Sequence, residues 1–393
     1  MTSGACKPLS VAIACGGTGG HFFPGLAVGE ELLARGCRVT LLVSRKEVDQ
    51  RSASAAAGMT VDALPAVAWQ RNPIRFLAGL RESYRAARRL FAEFEPAAVL
   101  SMGGFTGVGP ALAARRSRVP VFLHEANSLP GRANRWLAHV AEGVFVYFPD
   151  AAGRISHQQV RVTGMPVRSQ FEPADAAACR AALRLDPHRA VLLVMGGSQG
   201  AEPINQALLA ALPELSEQEP DLQFIHLTGA NGVDAVAAAY RGQGRRAFVA
   251  PFLTEMELAF GAATLAVTRA GASSLAEQAA MRLPAILIPY PHAADNHQYF
   301  NARAFADSGA ACLLRQAEAT PERLLATIRA LLADEPRRRG MQVALRQWHC
   351  AAAARTVAEI ILRRVRPQGG PAAVPASQPA SLARLAAQPR PEP

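Results

Sequence analysis

No two of the six cysteines, Cys6, Cys15, Cys37, Cys179, Cys312 and Cys350, stand at CxxC spacing. Scattered cysteines favour small buried side chains in a reducing compartment over disulfides or metal ligation. No apolar run approaches the roughly 18–20 residues that a membrane-spanning helix needs. The opening MTSGACKPLS lacks a charged stretch followed by a long apolar one, so no secretory signal is expected. Runs of basic residues interleaved with aromatics, RNP-like strands and zinc-finger spacings are all missing, which sets nucleic acid aside as a partner. No glycine loop is followed by Gly-Lys-Ser/Thr, which argues against ATP hydrolysis.

What the sequence does have is apolar bulk and positive charge. Half of its 393 residues are hydrophobic, enough for two ordinary domains, and 42 Lys and Arg against 31 Asp and Glu give a net charge of +11. That excess points to an anionic partner, either an acidic membrane surface or a phosphorylated small molecule.

Short apolar runs alternate with helical patterns. Residues 9–15, 38–44, 97–103, 119–125 and 143–148 are expected as buried strands, with a helix from about residue 24 to near Gly36. The pattern restarts at residues 189–201 and continues with DLQFIHLTG, RAFVAPF, LAVTRAG and PAILIPY. Non-alternating apolar strands between helices predict an α/β fold, two doubly wound parallel-sheet domains in series. The expected divisions are 1–165, 166–365 with a basic helical end at about 335–364, and a Pro- and Ala-rich tail, 366–393, too poor in large apolar residues to fold.

Three glycine loops follow predicted strands: GGTGGH (16–21), MGGFTG (102–107) and GGSQGA (196–201). Such turns either cradle a phosphate at a helix N-terminus or serve as plain connectors. GGTGGH departs from a dinucleotide fingerprint because His-Phe-Phe-Pro separates it from the expected helix. His21 is either a cap or a proton acceptor near neutral pH. A fourth small-residue turn opens the segment 269–302, and Glu277 lies about one turn into its helix. That carboxylate suits either a ribose diol or helix capping. His292, Asp295 and His297 lack a second cluster to complete a metal shell, so sugar hydroxyls suit the DNHQ stretch better than a metal.

GGTGGHFFPGLAVGEEL, MGGFTG, LHEANSLPGRANR, GMPVR, GGSQGA, TRAGASSLAEQAA and PYPHAADNHQYFNA occur in this order. Together they resemble the MurG family of UDP-N-acetylglucosamine transferases, over about residues 9–365. The resemblance implies a GT-B fold, two Rossmann-like domains facing across a cleft, and inverting transfer of GlcNAc without a metal or other cofactor. The donor it implies is UDP-GlcNAc. The implied acceptor is the MurNAc 4-hydroxyl of lipid I, undecaprenyl-diphosphate-MurNAc-pentapeptide, and the implied product is lipid II. It also implies a peripheral place on the cytoplasmic face of the inner membrane, with other cell-wall assembly proteins as further partners.

Carried over by motif, Thr18, Gly19 and Gly20 contact donor sugar or acceptor diphosphate, while Asn127 and Arg168 line the cleft. Ser198 approaches the donor diphosphate and Leu253 reads the uracil. Ala272, Ser273, Ser274, Leu275, Ala276 and Glu277 wrap diphosphate and ribose, and His297 and Gln298 meet the GlcNAc hydroxyls. His21 is the candidate general base. Three positions depart from the family pattern: Ala126 for glutamine, Met165 for asparagine, and Phe22 for valine. The segment 69–91, rich in arginine with Trp69, Ile74, Phe76, Leu77 and Leu80, is either an interfacial patch or a helix packed on its own domain. Two other functions share these features. One is a related inverting transferase with another lipid acceptor; the other is a non-catalytic UDP-sugar-binding scaffold.

Overall fold

The fold is that of a computed structural model, which describes residues 8–17, 19–45, 56–65, 73–197 and 200–366. Thr18, Ser198, Trp69 and the tail beyond residue 366 lie outside the described residues. The chain forms two compact units, Met1–Arg168 with Cys350–Pro393, and Ser169–His349.

The first unit is built on seven parallel strands, β1 (Ser10–Ala14), β2 (Arg38–Ser44), β3 (Thr60–Leu64), β4 (Ala98–Ser101), β5 (Val121–Glu125), β6 (Gly143–Val146) and β7 (Val160–Val162). Their order is β3-β2-β1-β4-β5-β6-β7. β1, β4, β5 and β6 are buried along their whole length, as apolar strands covered on both faces must be. Helices α1 (Gly19–Leu33), α2 (Pro73–Phe94), α3 (Val108–Arg116), α4 (Arg132–Leu137) and α5 (Pro149–Ala152) connect them.

The second unit has six parallel strands, β8 (Val191–Met195), β9 (Gln223–Leu227), β10 (Ala247–Ala250), β11 (Leu265–Thr268), β12 (Ala285–Leu287) and β13 (Cys312–Leu313), in the order β10-β9-β8-β11-β12-β13. Its helices are α6 (Ala176–Ala182), α7 (Glu202–Gln218), α8 (Val233–Gly242), α9 (Met256–Ala262), α10 (Ala272–Met281), α11 (His297–Asp307), α12 (Pro321–Ala333) and α13 (Glu335–Trp348).

Three differences from the sequence-based expectations matter. Helix α1 starts at Gly19 with Pro24 inside it, not at residue 24. A proline in the second turn removes only the N–H that would reach the Gly20 carbonyl. The helix therefore begins inside GGTGG, at Gly19, and its start no longer separates this loop from a dinucleotide turn. The basic helical end is two helices, which fall in different units. The last, Ala353–Val365, buries Val357, Ala358, Ile361 and Leu362 in the first unit's core beside Leu26, Val28 and Phe145. The expected span 166–365 is thus split at residue 350, because this helix's apolar face finds its complement on the first sheet.

Candidate functional site

In each sheet the strand order reverses at one point, between β1 and β4 in the first unit and between β8 and β11 in the second. Ligands of open parallel sheets bind beyond the carboxyl ends of the strands at such switch points. GGTGGH follows β1, MGGFTG follows β4, GGSQGA follows β8 and TRAGASS follows β11. All four turns singled out in the sequence therefore stand at the two switch points.

In the first unit, Gly19, Gly20 and His21 form the first turn of α1. The imidazole of His21 lies over the Gly103–Gly104 backbone. A Cβ on Gly104 would meet His21 Nε2 at 3.3 Å, and one on Gly103 would meet His21 Cε1 at 3.4 Å. Both glycines have positive φ, 98° and 72°, so the loop after β4 needs them twice, for backbone conformation and for space. Thr106 Oγ1 donates to the Gly16 carbonyl at 2.6 Å and ties the two loops together.

Beneath them, Glu125 is 2 % exposed at the end of β5. One carboxylate oxygen accepts from the Asn127 backbone N–H at 2.9 Å and from Asn127 Nδ2 at 3.2 Å. The other accepts from the Gly131 N–H and from Asn134 Nδ2, both at 2.9 Å. Four hydrogen bonds fix the HEAN turn and with it Asn127. His124 is fully buried, with Nε2 3.1 Å from the Gly164 carbonyl, so Nε2 carries the proton and donates. Burial pushes its pKa down to about 4; the Gly164 bond opposes this and the charge of His21 adds to it. Arg168 is also buried, its guanidinium 4.4 Å from the centre of the Phe23 ring. Phe22, Ala126 and Met165, the three departures from the family pattern, are all buried.

In the second unit, α10 begins after Gly271, which supplies no side-chain cap, so its first-turn amides remain for a ligand. Residues 272–277 divide by helical spacing. Ala272, Leu275 and Ala276 are buried and pack, whereas Ser273, Ser274 and Glu277 are half-buried and share the open face. The turn before the helix is held from below. Buried Arg269 donates to the Ile288 and Pro289 carbonyls at 3.1 and 3.2 Å and to Gln316 Oε1 at 2.7 Å. Asn301 donates to the Ala270 carbonyl at 3.3 Å. Burial lowers the Arg269 pKa.

Leu253 lies half-buried in the loop after β10. His297 Nδ1 is 2.8 Å from the Ala294 carbonyl, so Nδ1 donates and Nε2 is an acceptor. Gln298 Oε1 accepts from the Tyr290 N–H at 3.0 Å, leaving its amide N–H groups as donors. Among the described residues, no group of three or more His, Cys, Asp or Glu is arranged to hold a metal ion. A cavity of about 270 Å³ lined by Asp186, Arg189, Asp221 and Gln223 opens at the amino ends of β8 and β9, the opposite edge from the glycine loops. Its Arg189 is already paired with Asp186 and Asp221.

Two family models cover most of both units. The glycosyltransferase family 28 N-terminal domain matches residues 11–146, and the family 28 C-terminal domain matches residues 191–357. The chain belongs to glycosyltransferase family 28. This family 28 chain is 36% identical over 376 residues to the UDP-N-acetylglucosamine–N-acetylmuramyl-(pentapeptide) pyrophosphoryl-undecaprenol N-acetylglucosamine transferase of Pelobacter propionicus, covering 90% of this chain and 99% of the relative. The transferase of the same name from Geobacter metallireducens is 38% identical, over 84% of this chain and 91% of that one. The crystal structure of Acinetobacter baumannii MurG superposes with a TM-score of 0.71 at 28% identity, covering 91% of this chain and all of that one. A Neisseria meningitidis UDP-GlcNAc 2-epimerase superposes at 0.65 with 14% identity over 91% of this chain and all of that one, a likeness of fold alone. The architecture is GT-B: two Rossmann-like parallel-sheet units.

Three side chains that hold the candidate site's turns were not singled out in the sequence: Glu125, Arg269 and His124. Each acts by hydrogen bonds to backbone groups brought close by the fold. The only signal was their place inside motifs, next to residues that were chosen.

Proposed function

We propose that this enzyme transfers GlcNAc from UDP-GlcNAc to the 4-hydroxyl of the MurNAc unit in undecaprenyl-diphosphate-MurNAc-pentapeptide, forming lipid II with inversion. The observation that carries it is the 36% identity to the Pelobacter transferase across nearly the whole of both chains. The second unit binds the donor. Amides of the α10 first turn, with Ser273 and Ser274, face the diphosphate, Glu277 takes the ribose diol, and the Leu253 backbone reads the uracil. Ser198 belongs to the same diphosphate site through its motif. His297 Nε2 and the Gln298 amide meet sugar hydroxyls, a role their remaining hydrogen-bonding capacity supports.

The first unit supplies the acceptor side. Asn127, Gly19, Gly20 and, by motif, Thr18 contact the acceptor. His21 takes the proton as the hydroxyl attacks the anomeric carbon and the bond to UDP breaks. Oriented amides and the α10 dipole stabilise the departing diphosphate, so the step needs no metal or other cofactor. Arg168 acts from its stack on Phe23, fixing the α1 turn that carries His21.

The lipid acceptor calls for a membrane-facing surface, and α2 supports one. Gly79, Ser83, Ala87 and Phe91 are buried on one face, yet Ile74 and Leu77 remain 76% and 61% exposed among exposed Arg75, Arg81 and Arg85. Among the described residues no helix is long and apolar enough to cross a membrane. Our reading puts the enzyme peripherally on the cytoplasmic leaflet, where its lipid acceptor is expected, beside other proteins of wall assembly.

The test is a transfer assay with purified protein, radiolabelled UDP-GlcNAc and a short-chain lipid I analogue, with UDP-GalNAc and diacylglycerol as controls. Labelled disaccharide from the lipid I analogue is expected. Transfer only to diacylglycerol, or UDP-GlcNAc binding without transfer, would overturn the assignment.

A further inference from the structure

A directed chain of hydrogen bonds crosses the core of the second unit. His226, on β9, is completely buried. Its Nδ1 is 3.1 Å from Tyr240 Oη on α8 and its Nε2 is 3.0 Å from Asn205 Oδ1 on α7. Asn205 Nδ2 donates to the Thr228 carbonyl at 3.1 Å. An amide oxygen only accepts, so His226 Nε2 must carry the proton. Nδ1 then accepts from the Tyr240 hydroxyl. Every proton in the series points one way, from Tyr240 through His226 and Asn205 to Thr228. Burial pushes the His226 pKa down to about 4, so the ring is neutral at pH 7, as this pattern requires.

The chain ends under the glycine loop after β8. A Cβ on Gly200 would stand 2.5 Å from the Thr228 carbonyl oxygen and 2.9 Å from Gly229 Cα. Gly200, at φ +70°, is therefore pressed against the Thr228–Gly229 peptide. Asn205 also donates its backbone N–H to the Ala201 carbonyl at 3.0 Å, at the start of α7. On the other side, Thr228 and Gly229 donate to the Ala250 and Pro251 carbonyls at 3.0 and 3.1 Å, next to the loop that carries Leu253. One peptide thus joins the loop after β8 to the loop after β10.

We propose that His226 is a positioning residue for nucleotide binding: by holding Asn205 as a donor to Thr228, it sets the height of the Gly200–Ala201 backbone and its register with the Leu253 loop. This rests on the assignment of the second unit as the UDP-sugar site. His226 touches no substrate and acts through Asn205. A buried network of this kind is fully satisfied only with this tautomer and this asparagine orientation.

Asn and Gln at position 226 separate the two ring nitrogens. H226Q places an amide N–H where Nε2 donates; H226N keeps an acceptor near Nδ1 and loses that donor. UDP affinity is read by titration calorimetry, and KM and kcat by the transfer assay. Wild-type protein is expected to bind UDP. H226N should raise the UDP Kd and the UDP-GlcNAc KM about tenfold, with kcat and the lipid KM within twofold. H226Q should bring both within threefold of wild type. N205D, which still accepts from His226 but cannot donate to Thr228, should reproduce the H226N loss and serves if H226N does not fold. Folded H226N or N205D with wild-type UDP affinity would overturn the proposal, as would H226Q as impaired as H226N. Failure of wild-type protein to bind UDP would overturn the donor-site assignment itself, and the proposal with it.

Discussion

His21 and the two glycines under its ring form one device. Replacing His21 by alanine should lower kcat by roughly 10²–10⁴-fold, the usual contribution of a positioned base, with the fold intact by circular dichroism; near-normal turnover would remove it from the base role. G104A should damage the same step indirectly. Its methyl would meet Nε2 at 3.3 Å from a backbone at φ +72°. We expect kcat to drop at least tenfold, with the UDP-GlcNAc KM unchanged. Glu125 offers a second test. In E125Q an amide nitrogen replaces one oxygen and meets N–H donors where acceptors were needed. A cost of about 1–3 kcal/mol in urea unfolding is expected, together with a raised lipid KM as Asn127 loosens. The family motifs brought out His21, Asn127 and Glu277 as candidates in the sequence. They could not reveal Glu125 or His226, because a letter does not show whether a polar side chain turns inward to carry a neighbour's backbone.

The central strands were legible as uninterrupted apolar runs, and β2 matches its expected bounds. The strands absent from the sequence-based expectations, β3, β7 and β13, are all sheet edges. An edge strand is short and covered on fewer sides, so TVDAL and VRV carry too few apolar residues to stand out. The start of α1 was misplaced because proline usually marks a first helical turn, whereas Pro24 lies inside. Helix α2 carries a prediction of its own. Its packing face is fully used, yet Ile74 and Leu77 stay exposed between arginines. Binding to anionic vesicles should therefore be strong at low salt and fall as salt rises. Charge reversal at Arg75, Arg81 and Arg85 should weaken it further. No binding to vesicles containing phosphatidylglycerol at low salt would leave α2 as a helix that serves its own unit.

At the scale of the whole molecule, each unit buries one neutral histidine, His124 in the first and His226 in the second. Both folded-state pKa values lie near 4, below the 6.5 of an exposed histidine. As pH falls from 6.5 towards 4, the unfolded chain takes up protons that the folded chain refuses, so stability is lost over that window. Above it neither histidine contributes. Unfolding midpoints should fall between pH 7 and pH 5, and H124Q should flatten that slope relative to its own value at pH 7. The returning C-terminal helix makes another claim. Ile361 is completely buried in the first unit's core. I361A should cost about 2–5 kcal/mol and lower an unfolding transition while UDP affinity in the second unit stays constant; loss of UDP binding instead would attach this helix to the wrong unit. The same helix fixes an order of events during synthesis. The polypeptide of the first unit leaves the ribosome up to Arg168, but the side chains that finish its core come more than 180 residues later. At about 5–20 residues per second, the nascent first sheet must wait some 10–40 s with an apolar face open, while the second unit, contiguous in sequence, can close before it.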